Sequence, residues 1–301
     1  MLDFITSVLA SGITLATPVF FASLGELVSQ RSGVMNLSLE GIMLMSAFFA
    51  VWGAFITQSL FLGILIGTLI GGLMGLIHAF LSVIIKADQV ISGLALWIFG
   101  TGASSFFFRT QMKISDVIEP LNNISIPILS EIPVIGPSFF NQNILVYVGF
   151  ILVPLLTLTL TKTTIGLKIR SIGENPLVAD SLGLNVGRTR FLCVMFGALL
   201  AGLGGASLTV GLMGFFSEGM TVGMGWIAFG LVFFGNWNAY RIFGGGLLFG
   251  FIYSLQMRLQ TTFIGVPYPL FLMLPYVIII LILVLSPGIK KPGGLGIPYK
   301  R

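Results

Sequence analysis

The stretch LFLGILIGTLIGGLMGLIHAFLSVII, residues 60–85, carries no Asp, Glu, Lys or Arg over a length that only a helix within lipid explains. A hydrocarbon layer roughly 30 Å thick is spanned by a helix of about 20 apolar residues. Within it Gly63, Gly67, Gly71 and Gly75 recur every fourth residue, and Ala79 continues the spacing. One helical face is therefore nearly bare backbone, which lets a neighbouring helix approach closely in lipid.

Similar runs flank this one on both sides. Hydrophobic segments at 5–25, 38–56, 60–85, 89–109, 143–161, 190–212, 219–235, 242–257 and 269–286 predict about nine spans, within a range of eight to ten. The expected fold is an all-α, polytopic transmembrane bundle forming a single membrane domain over residues 1–301. Composition agrees, with 56% hydrophobic residues, 8% charged and a mean hydropathy of +1.05. The sixth span repeats the small-residue device with Gly197, Ala201 and Gly205, flanked by Gly202 and Ala206. No Lys or Arg precedes the first apolar segment, so it is read as a retained helix and not a signal peptide.

The short loops carry the orientation signal, because Lys and Arg accumulate on the cytoplasmic side. Arg31, Lys86, Lys162, Lys168, Arg170, Arg188, Arg190, Arg241, Lys290, Lys291, Lys300 and Arg301 fall on one side, and Arg109, Lys113 and Arg258 on the other. That bias predicts an external N-terminus and a cytoplasmic C-terminus in a bacterial-type inner membrane. The basic residues form no basic domain, so the net charge of +5 does not point to nucleic acid. Cys193, the single cysteine, lies in an apolar run and reads as a small buried residue. The connection 110–142 holds four prolines, Pro120, Pro127, Pro133 and Pro137, and reads as a structured external loop suited to docking.

Residues 162–190 form the longest cytoplasmic segment. Asn175 suits a helix cap, Pro176 the first helical position and Gly183 a left-handed C-terminal position. They delimit a helix of about 176–182, with Leu177, Val178, Ser181 and Leu182 on one side and Ala179 and Asp180 on another. So short a helix is unstable alone in water and requires a surface to pack on.

The order IRSIGENPLVADSLGLNV, residues 169–186, resembles the coupling helix of ABC importer permeases of the branched-chain amino acid, ribose and nucleoside group. CVMFGALLAGLGGASL, residues 193–208, is similar to the small-residue helix that follows it in that group. LGELVSQRSGVMNLSLEGIMLMSA, residues 24–47, looks like the early segment of the nucleoside and simple-sugar branch. FFGNWNAYRIFGGGLLFG, residues 233–250, corresponds less closely to the glycine-rich loop and helix of ribose-type permeases.

The resemblance implies that Gly173, Glu174, Asn175, Pro176, Ala179, Asp180 and Gly183 couple the membrane helices to a separate ATPase subunit. It implies three partners besides membrane lipid: the ATPase, a second permease expected to be a different chain, and an external binding protein or lipoprotein. No cofactor is expected on this chain; ATP and magnesium belong to the ATPase. No G-x-x-x-x-G-K-[ST] phosphate loop occurs here, so no enzymatic activity is expected. The implied cargo is a nucleoside or related ribosyl compound, with a simple sugar as the alternative.

Glu26, Glu40, His78 and Glu218 are ionisable residues read as lying within the membrane, where such groups are costly. His78 reads as a hydrogen-bonded structural residue, with no partner spaced for a metal or a catalytic set. An intramembrane enzyme is disfavoured for that reason, and an ion-coupled transporter would call for paired carboxylates. Asn36 and Glu40 would share a face of any helix running through both, with Ser38 near them. Two readings stand: Asn36, Ser38 and Glu40 border the translocation path, or Glu40 caps a helix start. Gln89, Ser92 and Trp97 on the fourth span, and Trp226 on the seventh, are further path candidates, suited to a flat base and a hydroxylated sugar.

Overall fold

A computed structural model describes residues 2–262, 267–285, 288 and 290–299. Lys300 and Arg301, and Ser286 at the end of the ninth predicted span, lie outside them. The helices are α1 (Leu2–Arg31), α2 (Leu39–Thr57), α3 (Leu60–Ala79), α4 (Gln89–Gln111), α5 (Ile135–Phe139), α6 (Ile144–Lys162), α7 (Thr164–Glu174), α8 (Pro176–Ser181), α9 (Val186–Leu208), α10 (Met224–Phe234), α11 (Ala239–Thr262) and α12 (Tyr268–Leu285). Wider π-helical turns extend α3 through Phe80–Ile84 and α9 through Thr209–Met213. Among the described residues, seven helices are long and apolar enough to cross a membrane: α1, α2, α3, α4, α6, α9 and α11.

The other two predicted spans are α12 and a crossing that is broken. At about 1.5 Å per residue, the 11 residues of α10 cover only about half the hydrocarbon thickness. The chain before it cannot be helical, because Gly214, Gly219, Val222 and Gly223 all have left-handed backbone angles. Glycine adopts these freely, whereas Val222, a β-branched residue at φ 44°, is strained. Its carbonyl is held by the Tyr276 hydroxyl of α12.

α1 fixes the two ends of the bundle, since its 30 residues extend about 45 Å. At one end the Arg258 guanidinium lies over the Phe4 ring. At the other, Gly296 N–H donates to Gly33 O just past α1. The start of α1 and the 290–299 tail therefore sit at opposite ends, as an odd number of crossings requires.

α9 is the central post, packed by α1, α2 and α3. The glycine rows predicted from sequence meet each other here. A Cβ on Gly71 would lie 2.5 Å from the Gly202 Cα, and one on Gly202 would lie 2.9 Å from the Gly71 Cα. No side chain fits between these backbones.

The 112–143 connection is folded, as its prolines imply. β1 (Ile124–Ser125) pairs antiparallel with β2 (Asn141–Gln142), and Pro137 lies within the short α5. Gln142 Nε2 donates to Ala10 O at 3.0 Å and Ser138 Oγ to Thr6 O at 3.3 Å, so this cap is fastened to the Leu2 end of α1.

The glycine contact yields a direct test. Gly71→Val must push the α3 and α9 backbones apart, so the melting temperature of the purified protein should fall by an amount reflecting at least about 1–3 kcal/mol of overpacking. Gly102→Ala, where no atom lies within 4 Å of the added carbon, should leave it unchanged.

Candidate functional site: a presented helix and a broken crossing

The chain leaves α6 and doubles back sharply into α7. Thr163 caps α7 by accepting from Gly166 N at 3.2 Å. Gly166 sits so close to the Thr159 and Leu160 backbone that a side chain there would collide with it. Ile169, Ile172 and Gly173 bury the inner face of α7, and Gly173 lies directly on the Arg31 carbonyl.

α8 follows as the sequence dictates. Asn175 Oδ1 accepts from Val178 N at 3.2 Å, Pro176 occupies the first helical position, and Gly183 ends the turn at φ 82°. Ala179 is buried against Ile172 and Val186, whereas Leu177, Val178 and Leu182 are exposed, with none of the described residues covering them. The seven residues grouped by sequence as coupling residues thus divide. Gly173 and Ala179 are buried anchors, and Asn175, Pro176 and Gly183 shape the helix. Glu174 is exposed and its Oε2 accepts from Gly293 N at 3.2 Å. Asp180 is half-buried at a cavity of about 340 Å³ shared with Asn185 and Tyr299.

What braces α7 and α8 from below is the tail. Gly294 N donates to Gly173 O at 2.8 Å. Arg190, counted by sequence among the loop charges, is in fact buried and donates to Ser32 O at 3.0 Å, Ile297 O at 3.0 Å and Gly294 O at 3.3 Å. Arg31 donates to Trp237 O at 2.6 Å, and Trp237 Nε1 donates to Gln30 Oε1 at 2.9 Å. Sequence inspection missed Arg190, Gln30 and Trp237, because nothing in their spacing reveals partners more than a hundred residues away.

From Arg31 the chain runs through an unwound, buried turn to α2. α2 begins only at Leu39, so Asn36 lies in the turn and does not share a helical face with Glu40. Asn36 Oδ1 accepts from Ser38 N at 3.1 Å and Ser38 Oγ at 2.5 Å. Glu26 Oε1 accepts from Asn36 N at 3.0 Å and Gln30 Nε2 at 2.8 Å. Gln89 Oε1 accepts from Met35 N at 2.9 Å, and His78 Nε2 donates to Met35 O at 3.0 Å. Ser92 Oγ turns back onto Gln89 O at 3.3 Å. Asn36, Ser38 and Gln89 are buried here; Asn36 Oδ1 and Gln89 Oε1 hold the turn, whereas the Gln89 Nε2 is left without a hydrogen-bond partner among the described residues.

Glu40 reaches across to the broken crossing. Its Oε1 accepts from Thr221 Oγ1 at 2.5 Å and Gly223 N at 2.8 Å, and its Oε2 from Gly225 N at 2.6 Å. It does cap a helix start, but that of α10, not of its own helix. A carboxylate there meets both the unpaired amides and the positive end of α10. Gly225 is required for the approach, since its Cβ would lie 2.5 Å from the Glu40 Cα. Beside this contact the half-buried Trp97 and Trp226 pack edge to face, 5.2 Å between centroids at 86°. Glu218 has a different environment. It forms a two-point pair with Arg109 at 2.7 and 2.8 Å on an exposed edge, and that guanidinium holds its carboxyl below the usual carboxylate range.

The site thus has two features, a short helix exposed to solvent on one side and a discontinuous helix start held by a carboxylate. Residues 8–283 match the family described as branched-chain amino acid transport system, permease component. The chain belongs to that family.

It is therefore a multi-pass membrane permease. It is 33% identical over 314 residues to a guanosine ABC transporter permease of Bacillus subtilis, covering 99% of this chain and 98% of that one. It is 35% identical over 298 residues to a nucleoside ABC transporter permease of Lactococcus lactis, covering 93% and 92%. A putative glucose ABC transporter permease of Haloferax volcanii is 36% identical over 264 residues, covering 86% and 80%. No solved structure matches the chain.

Removing the Glu40 carboxylate should be costly to this permease. Glu40→Ala leaves the Thr221 hydroxyl and two amides unpaired, at about 1–3 kcal/mol for each buried group. Its melting temperature should fall further than that of Glu40→Gln, which keeps one accepting oxygen. Thermal unfolding of the two purified variants checks the order.

Proposed function

We propose that this chain is a translocation subunit of an ATP-driven importer for a nucleoside or related ribosyl compound. The observation that carries the reading is its similarity, over nearly the whole of both chains, to guanosine and nucleoside permeases. The Trp97 and Trp226 pair supports it, since an indole face beside buried polar groups suits a flat base. The broken crossing is where transporters of several folds place their substrates. A simple sugar is the second reading, favoured by the glucose permease relative.

The end of the bundle bearing α7, α8 and the tail is cytoplasmic. Arg31, Lys86, Lys162, Lys168, Arg170, Arg188, Arg190, Arg241, Lys290 and Lys291 belong to it, which fits the positive-inside rule. The N-terminus is then external and the C-terminus cytoplasmic. An ATPase subunit, which holds the ATP and magnesium, takes the exposed side of α8 in a surface cleft. A second permease chain completes the path, and an external binding protein docks on the 112–143 cap. The loop divisions at 110–142 and 162–190 follow from the same assignment.

Two measurements test these statements. Leu177→Asp together with Leu182→Asp alters side chains that are 64% and 75% exposed, so the permease should fold normally. The ATPase should no longer co-purify with it; undiminished recovery would remove α8 from the contact. Proteoliposomes holding the full complex should take up labelled guanosine in a vanadate-sensitive manner, with unlabelled adenosine competing and glucose and ribose not. Trp97→Ala should raise the KM for guanosine about tenfold, the scale of one lost base–aromatic contact. Competition by glucose alone would establish the sugar reading instead.

A further inference from the structure

α6, α7 and α9 do not close against one another along their whole length. Between them lies an apolar wedge of about 530 Å³, walled by Leu152, Leu155 and Leu156 of α6, by Leu192 and Phe196 of α9, and roofed by Ile165 of α7. It opens sideways, where Leu155, Ile165 and Leu192 are each more than half exposed.

Its walls are bulky. The small residues by which membrane helices pack against each other are already spent elsewhere, with Gly71 on Gly202 and Gly75 on Ala198. The two hydroxyls within the wedge are committed as well: Thr159 Oγ1 donates to Leu155 O at 2.8 Å and Thr189 Oγ1 to Asn185 O at 2.9 Å. Apart from Lys168 at its mouth, the wedge is lined mostly by hydrocarbon, which a flexible acyl chain fills without needing a hydrogen bond.

The mouth has the opposite character. Lys168 lies at the wedge itself, Lys162 follows Thr159 by one turn, and Arg188 precedes Leu192 by one turn. All three are exposed, and among the described residues none lies within ion-pair distance of a carboxylate. The nearest acidic residue along α7, Glu174, is turned to the tail amide of Gly293. α7 is amphipathic, with Ile169 buried beneath Lys168 and Leu167 exposed beside it, as in helices that lie at a headgroup boundary.

We propose that this wedge binds one anionic phospholipid, its acyl chain between α6 and α9 and its phosphate among Lys162, Lys168 and Arg188. The lipid fills the gap behind α7, the helix that carries α8. It thereby supports the presented helix from the membrane side, as the tail does from the other.

The test uses the complete transporter in phosphatidylcholine nanodiscs, with a trace of phosphatidylglycerol bearing a photoreactive group on its acyl chain. Illumination should label peptides from residues 152–160 and 189–196. Unlabelled phosphatidylglycerol should suppress the labelling, and added phosphatidylcholine should not. Lys168→Gln and Arg188→Gln should each weaken competition by phosphatidylglycerol about fivefold, the scale of one cation at an anionic surface. Equal suppression by both lipids, or equal competition in the variants, would reduce the wedge to an unselective lipid contact and overturn the proposal. So would absence of label from these peptides together with crosslinks from Leu192→Cys to another subunit, which would place a protein in the wedge.

Discussion

A helix that begins inside a membrane has amides that water cannot reach, and Glu40 is what satisfies them at the start of α10. Hydrocarbon provides no alternative partner, so an unwound crossing persists only where protein groups take over its hydrogen bonds. Glu40 accepts three donors from the Thr221–Gly225 turn and does so from α2, a different helix. The position of α10 is consequently tied to the position of α2. Moving either one without the other would expose amides or a carboxylate to lipid.

α2 is held in the same way at its own start. The turn that precedes it is buried, and Glu26, Gln89, His78 and Ser29 take up its backbone groups one by one. The other end of that turn leads to Gly33 and Arg31, whose carbonyls meet the tail and Gly173. A continuous path of hydrogen bonds and close backbone contacts runs from the presented α8 to the Glu40 contact. Arg190 stitches the tail-bearing end of that path together, with three carbonyls bound by one guanidinium. α8, the start of α2 and, through Glu40, the start of α10 are thus joined by protein contacts throughout.

Beside this path stands the close-packed frame around α9. Backbones in contact at Gly71 and Gly202 leave no space between α3 and α9.

Much of this was legible in the sequence, because the features concerned are local. Apolar length fixed the spans, four-residue glycine spacing fixed the close-packed faces, and the order Asn175, Pro176 and Gly183 fixed α8 with its cap and its end. The tertiary structure alone decided that the seventh span is half a helix, that Asn36 stands outside α2, and that Glu40 caps α10. It also turned Ala179 inward, made an internal brace of Arg190 and put Glu218 in an exposed pair with Arg109. The reason is physical. Hydropathy and helix signals depend on neighbours within a turn or two, whereas a buried polar group is defined by its partner, and these partners lie up to 207 residues away along the chain.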